Sequence, residues 1–441
     1  MSGIKGQAAW LLGSNFISAL LQIIQISILA RVLELHELGV LAIINTVLAI
    51  AMILQDMGMS SYIVYKQDMT RKQQSTIYWI NFLLSLFTGL IVFASSLPIS
   101  EFYKMPQLES LIMLASINFV FLGSLSQYQA HYIKAKKMIL LSQIEIGAKF
   151  ISFFFVVWAI YKTDLRTSAV VLGLILNAVL RLCFMSLFGN REWRPLFKFE
   201  KEIVHDVFKY GVYQLGSQVI NQLRTQLDVI IVGKVLGGDS LGLYSLAKDL
   251  ILQPLKLVSP VINRLALPRF AENQRELHEL KAIFLKGTFV IAAFSSCIYI
   301  SIYLFSPIII TLLYGSERMP IMDILPFMLI FGALRPMGGL TGAIAQANGK
   351  TNVEFIWNIV AGIAVLCISS TIILFPKLWY VSLTLSIAQI LVSFLVFPFF
   401  IKPIVSVSFI SYIRQWIPVI IIFFIITSLM YAFNVNIYPF W

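Results

Sequence analysis

The chain has 441 residues, of which 59% are hydrophobic and only 12% charged. A water-soluble domain carries about 25% charged residues, so a soluble globular protein is excluded and no stretch is left over for a sizeable soluble domain. The formal net charge of +12 does not point to nucleic acid, because polytopic membrane proteins collect Lys and Arg in their cytoplasmic loops.

Apolar runs of about 20 residues, the length that crosses roughly 30 Å of hydrocarbon, recur throughout. In chain order they predict spans near 9–33, 39–62, 76–97, 107–131, 141–161 and 168–188, then 210–233, 241–263, 283–313, 321–345, 353–375 and 378–401. A further apolar stretch follows near 413–433. The first run is too long for a secretory leader, is interrupted by Gln22 and Gln25, and lacks a small-residue cleavage site. The segment 191–209 alternates charge with aromatics, which predicts an amphipathic linker, read as a helix lying at the cytoplasmic interface. The domains that result are a six-helix bundle over 1–190, the linker over 191–209, a second six-helix bundle over 210–405 and an additional helix within 406–441. The fold class is all-α and polytopic.

The two bundles are copies of one another. Gly13 to Gly39 aligns without a gap on Gly216 to Gly242, with Gly13, Ser14, Ile17, Ile28, Val32, Leu33, Leu38 and Gly39 on identical residues and Arg31 on Lys234. Repeated bundles are a common way to build a transporter around one central site.

With the N-terminus inside, the inner loops collect about 20 cations, among them Lys66, Arg71, Lys72, Lys134, Lys136 and Lys137, against about seven outside. That bias predicts a cytoplasmic N-terminus. It also puts the start of both copies on the same side, a parallel repeat.

Charges inside spans are costly, about 2.5–3.5 kcal/mol each at mid-membrane, and they cluster. The spans hold Lys149, Arg181, Arg224, Lys248, Lys256 and Arg335, with acids Asp56, Glu145, Asp228, Asp249 and Glu354 within them or at their edges. Two pairs are four residues apart, Glu145 with Lys149 and Arg224 with Asp228, and such neighbours on a helix can neutralise one another. The seventh span carries Gln214, Gln218, Asn221, Gln222, Arg224, Thr225, Gln226 and Asp228, too polar to face lipid. Lys248 and Lys256, eight residues apart, share roughly one face of the eighth. Arg335 lies between Gly332 and Pro336, with Gly338 and Gly339 beyond, which predicts a broken helix bearing a charge at mid-depth. A cavity lined by Arg224, Lys248, Lys256 and Arg335 selects an anion, Arg offering a planar fork to phosphate and Lys a point charge. Gln22, Gln25 and Gln222 add amides that suit sugar hydroxyls. Asp56, Glu145, Lys149, Asp228 and Asp249 are candidates for ion coupling or for structural pairing, and Arg31 and Lys234, at equivalent outer helix ends, for topology or gating.

The four histidines have no metal-ligand spacing and no phosphate-binding glycine loop occurs. The three cysteines have neither disulfide nor zinc spacing. No enzyme, metal or cofactor chemistry is expected.

The segment ARVLELHELGVLAIINTV (Ala30 to Val47) resembles the signature of polysaccharide repeat-unit flippases, the Wzx/PST branch of the multidrug/oligosaccharidyl-lipid/polysaccharide (MOP) superfamily, in which an Arg ends the first helix and a Gly opens the second, as Arg31 and Gly39 do. DVIIVGKVLGGDSLGLYSLAKDL (Asp228 to Leu250) is similar to its second-half counterpart, and GAIAQANGKTN (Gly342 to Asn352) to the loop between spans 10 and 11. The resemblance implies a V-shaped, MATE-like fold in the bacterial inner membrane. It implies a flippase carrying undecaprenyl-pyrophosphate-linked oligosaccharide to the periplasmic leaflet by alternating access, for O-antigen, capsule or exopolysaccharide. The partners it implies are that lipid-linked oligosaccharide, the bilayer, and the polymerase and chain-length machinery. Relatives usually have 12 or 14 spans, from which the thirteenth apolar stretch departs. Two other readings stay open: a Na⁺- or H⁺-coupled multidrug exporter of the MATE branch, and a non-transporting membrane scaffold for polysaccharide assembly.

Overall fold

A computed structural model describes residues 2–66, 68–188, 194–272, 276–348 and 351–432. Among these residues every regular element is a helix, as lipid demands of a chain whose backbone polar groups must all be satisfied internally. Helices α1 (Ser2–Val32), α2 (Leu35–Asp56), α3 (Met59–Tyr65), α4 (Arg71–Ala94), α5 (Ser96–Tyr103), α6 (Gln107–Ser116), α7 (Asn118–Lys134), α8 (Met138–Lys162) and α9 (Arg166–Phe188) make up the first half. Then follow α10 (Glu202–Glu272), α11 (Leu277–Leu304), α12 (Ser306–Tyr314), α13 (Leu325–Leu334), α14 (Met337–Ala347), α15 (Thr351–Ser370), α16 (Leu378–Val396), α17 (Lys402–Val405) and α18 (Phe409–Ala432). Twelve helical stretches are long and apolar enough to cross a membrane, so the chain is a multi-pass membrane protein.

One of those twelve, Gln218–Lys256, is 39 residues long, about 58 Å at 1.5 Å per residue and twice what one crossing needs. It is interrupted at Gly237 (φ 80°, ψ −178°), a backbone region essentially confined to glycine. The chain doubles back there. Lys248 Nζ donates to the Thr225 carbonyl at 3.2 Å and Tyr244 donates to Asp228, contacts that only an antiparallel hairpin makes. The stretch therefore holds two of the expected spans. Helix breaks also fall at Met57–Gly58, both with positive φ, between α2 and α3, and at Arg335–Pro336, between α13 and α14.

The chain forms two compact units. The first comprises Met1–Leu33 and Val40–Gln222. In it α8 packs on α9 and α1, and α4 and α3 on α7. The helix expected within 191–209 begins only at Glu202. Before it, 194–200 is a strap without helix, laid along the first turns of α4, where its backbone finds side-chain partners in place of its own helical bonds. The Leu196 carbonyl accepts from Trp79 Nε1 (2.9 Å), the Leu196 amide donates to Ser75 Oγ (2.9 Å), the Glu200 amide donates to Thr76 Oγ1 (2.9 Å), and Arg71 donates to the Arg194 carbonyl. The strap's Phe197 stacks on Trp79, ring centroids 4.9 Å apart.

The second unit comprises Glu34–Gly39 and Leu223–Trp441. Here α11 packs on α18 and α13, and α16 on α13 and α15. The last helix is integral to this core: Tyr412 and Trp416 of α18 are 2% exposed, with Tyr412 stacked against Phe284 and Phe397. The hexapeptide Glu34–Gly39 is seated among glycines of α10. A Cβ at Gly39 would stand 2.2 Å from the Gly238 carbonyl oxygen, and one at Gly242 would stand 1.9 Å from the Leu35 carbonyl oxygen. Backbone meets backbone there, and only glycine allows it.

Candidate functional site

In the second unit the candidate charges gather on α10 and at the α13–α14 break. Asp228, 6% exposed, is held from the opposite arm of the hairpin: Lys248 Nζ lies 2.7 Å from Oδ2 and 2.9 Å from Oδ1, and the buried Tyr244 hydroxyl donates to the same carboxylate. Arg335 follows the last turn of α13, its amide donating to the Phe331 carbonyl at 3.0 Å and its guanidinium 5.3 Å from the Phe331 ring centroid. It sits within electrostatic reach of both Asp228 and Arg224. Lys256 is more open, 3.9 Å from Asp249 with both side chains roughly 40% exposed (43% and 38%), a separation that contributes little. Lys248 and Arg335 thus approach the Asp228 carboxylate, with Arg224 within electrostatic reach of Arg335, while Lys256 and Asp249 form a separate, looser pair.

Lys248 is not an unengaged cation, because its charge is matched by Asp228. The four-residue spacings seen in the sequence understated the partners available. Glu145 reaches Arg181 of α9, and Asp228 reaches Lys248 across the hairpin. Helical spacing marks neighbours on one helix only, and these partners come from another.

Two cavities of the first unit carry polar groups in otherwise largely apolar walls. The larger, about 610 Å³, is walled by Gln55, Asp56, Ser60, Ser126, Gln129 and Arg181 among others. Asp56 ends α2 and accepts from the Ser60 hydroxyl. Gln55, 3% exposed, and Asn81, fully buried, are joined at 3.4 Å, and Asn81 donates to Ser126 Oγ at 2.8 Å. The smaller, about 360 Å³, is walled by Ser18, Gln25, Glu145, Lys149, Asn177 and Arg181. Lys149 Nζ donates to the Ser18 carbonyl at 2.7 Å, and Asn177 to Ser152 Oγ at 3.2 Å. Gln22 is half-buried on α1 and Gln222 on α10, and neither lines these cavities. Arg31 and Lys234 have exposed side chains at helix ends.

Sequence reasoning named Arg181 only as one charge among several and passed over Gln55, Asn81, Ser126 and Asn177. The available signal was an amide within an apolar run, which lipid does not tolerate unless the group is paired or faces a cavity. Among the described residues no group of His, Cys, Asp or Glu is arranged to hold a metal ion.

The sequence pattern of the family described as "Polysaccharide biosynthesis protein" matches residues 28–323. The chain is 57% identical to the amylovoran biosynthesis protein AmsL of Erwinia amylovora, over 87% of this chain and 99% of that one. It is 28% identical to the teichuronic acid biosynthesis protein TuaB of Bacillus subtilis, over 81% of this chain and 73% of that one. Among solved structures it resembles the lipid II flippase MurJ in an inward closed conformation, with TM-score 0.74 and 14% identity, over 97% of this chain and all of that one. That likeness is one of fold. With a pattern that runs across more than half of its length and a relative this similar over nearly all of its own, the chain belongs to the polysaccharide biosynthesis protein family.

Proposed function

We propose that this protein is a flippase, moving an anionic, undecaprenyl-pyrophosphate-linked oligosaccharide from the cytoplasmic to the periplasmic leaflet of the bacterial inner membrane for surface polysaccharide. The observation that carries the reading is the pair Arg224 and Arg335, two guanidinium groups within electrostatic reach of each other inside membrane spans. Each costs energy to insert, and two like charges side by side cost more. A pyrophosphate offsets both, accepting paired N–H donors from each fork. The names of the relatives, amylovoran and teichuronic acid biosynthesis, and the lipid II flippase fold support a lipid-linked saccharide as cargo.

The protein works by alternating access rather than by making or breaking bonds. Lys248 and Asp228 set the position of the two arginines, Lys256 meets the headgroup from the more open position, and Arg31 and Lys234 act at the outer face. The cation bias of the inner loops supports a cytoplasmic N-terminus. The polymerase and chain-length machinery are the expected consumers of the delivered unit.

The test is the pool of undecaprenyl-linked oligosaccharide in cells lacking the gene, then complemented. Accumulation relieved by the wild type, and not by Arg224→Gln or Arg335→Gln proteins present at wild-type membrane levels, is the expected result. An unchanged pool with normal surface polysaccharide overturns the reading, and drug efflux by the purified protein in vesicles would then favour the exporter.

A further inference from the structure

The second-unit arginines account for a phosphate group, which every lipid-linked saccharide carries. They leave unexplained the two cavities of the first unit, whose walls share a residue. Arg181 belongs to both. Glu145, its ion-pair partner, lines the smaller cavity, and Gln129, which donates to Glu145 at 3.4 Å, lines the larger. The chain Arg181–Glu145–Gln129 is therefore the partition between them.

Helix rise gives the depth of each wall, measured from the ends that border the Lys134–Lys137 turn. Glu145 is seven residues from the start of α8 and Arg181 seven from the end of α9, about 10 Å in at 1.5 Å per residue. Ser152 lies 14 residues from the start of α8 and Asn177 11 from the end of α9, about 16–21 Å in. Asp56, Ser60 and Ser126 of the larger cavity sit near the α2–α3 break and the second half of α7. The two cavities thus step inward from one face of the first unit to its mid-depth.

The lining along this track mixes apolar side chains, Met52, Leu122, Leu125, Ile133 and Leu174 among them, with polar ones. It offers the amides of Gln55, Gln129, Gln25 and Asn177, the hydroxyls of Ser60 and Ser126, and two ion-paired charges. Amides and hydroxyls both donate and accept, matching hydroxyl groups that do the same. The formal charges of Arg181, Lys149, Glu145 and Asp56 cancel, so the track does not select a bare anion. A cavity of about 610 Å³ falls in the roughly 300–1,000 Å³ range of small-ligand sites.

We infer that the first unit carries a carbohydrate subsite, separate in chemistry from the arginine pair of the second unit, in which the neutral, hydroxyl-rich sugars of the lipid-linked unit lie along the Gln55–Gln129–Arg181–Asn177 track. The inference rests on the flippase reading and adds to it the place where the glycan, as opposed to its phosphates, is recognised. Arg181 and Glu145 serve as a divider that positions successive rings, with Gln129 and Asn177 on either side of it reading their hydroxyls.

The test uses the purified full chain in nanodiscs and two probes: the lipid-linked oligosaccharide extracted from the deletion strain, and undecaprenyl pyrophosphate without sugar. Gln129→Ala and Asn177→Ala are expected to weaken binding of the glycosylated lipid about tenfold and leave undecaprenyl pyrophosphate binding unchanged, whereas Arg335→Gln weakens both. Equal affinity of wild type for the two probes, or equal loss of both in the Gln129 and Asn177 variants, overturns the subsite while leaving the flippase reading intact. Failure of wild type to bind either probe removes both. The charge-swapped double variant Arg181→Glu/Glu145→Arg separates recognition from packing. Wild-type binding of the glycosylated lipid in that variant would make the ion pair merely structural and overturn its role as divider, and retained thermal stability with lost glycan binding supports it.

Discussion

Lys248 Nζ lies 2.7 Å from Asp228 Oδ2, tying the helix after Gly237 to the helix before it. With side chains only 12% and 7% exposed, the two charges depend on each other. Removing one partner of such a pair is more damaging than removing both, because it leaves a desolvated charge uncompensated. Asp228→Asn is expected to cost about 3–5 kcal/mol, and the double variant Asp228→Leu/Lys248→Met to recover most of it. Thermal unfolding in detergent checks both. A double variant no more stable than Asp228→Asn would show that the pair is not the unit that matters.

Tyr244 adds a hydroxyl to the same carboxylate. Hydrogen bonds to charged groups contribute about 1.5–3 kcal/mol. Tyr244→Phe keeps the ring and should lose about that much on the same assay. A variant as stable as wild type would mean that Asp228 finds another donor without penalty.

The contact between Gly39 and Gly238 sets up a comparison among the glycines of the repeat. Gly39→Val and Gly242→Val must push backbone against backbone, and the cost is expected to exceed the 1–3 kcal/mol or so of ordinary overpacking. Gly13, the first glycine of the same repeat, has open space where its Cβ would lie, so Gly13→Ala should be neutral or slightly stabilising through helix propensity. Folded yield and unfolding midpoint distinguish the three.

That contrast also marks how far the sequence could be read. The spans, the repeat and the helix break at Arg335–Pro336 were legible, because hydropathy and Gly/Pro punctuation act locally along the chain. Gly39 and Gly242 were visible as aligned letters. Nothing in the letters said that both meet the same pocket of backbone, a contact between segments some 200 residues apart. The partners of Glu145 and Asp228 stayed hidden for the same reason: a spacing of four finds neighbours on one helix, and Arg181 and Lys248 approach from others. The strap at 194–200 read as a helix because its charges and aromatics alternate. Its backbone bonds go instead to Ser75, Thr76 and Trp79, which only tertiary packing brings into place.

That strap gives a further prediction. Trp79→Phe removes the donor to the Leu196 carbonyl and should cost about 0.5–1.5 kcal/mol, raising the rate of proteolytic nicking between 194 and 201 more than the global unfolding midpoint would suggest. Unchanged nicking would mean that the remaining bonds hold the strap by themselves.

Topology can be tested directly. In a protein with Cys183, Cys297 and Cys367 replaced by Ser, a cysteine at the exposed Gln107 should react with a membrane-impermeant maleimide in intact cells. One at the exposed Ala135 should react only after permeabilisation. The reverse pattern would invert the assignment of the inner face.

The seating of Glu34–Gly39 among residues of the second unit has a consequence for how the molecule is made. These six residues leave the ribosome well before Gly238 and Gly242, against which they rest and which follow roughly 200 residues later. At about 5–20 residues per second the wait is on the order of 10–40 s. Throughout it, the turn between the first two helices must stay unoccupied while several more spans enter the bilayer. A fragment ending before Gly237 would keep that turn permanently without its seat, so the first half of this chain cannot finish folding before much of the second has been translated.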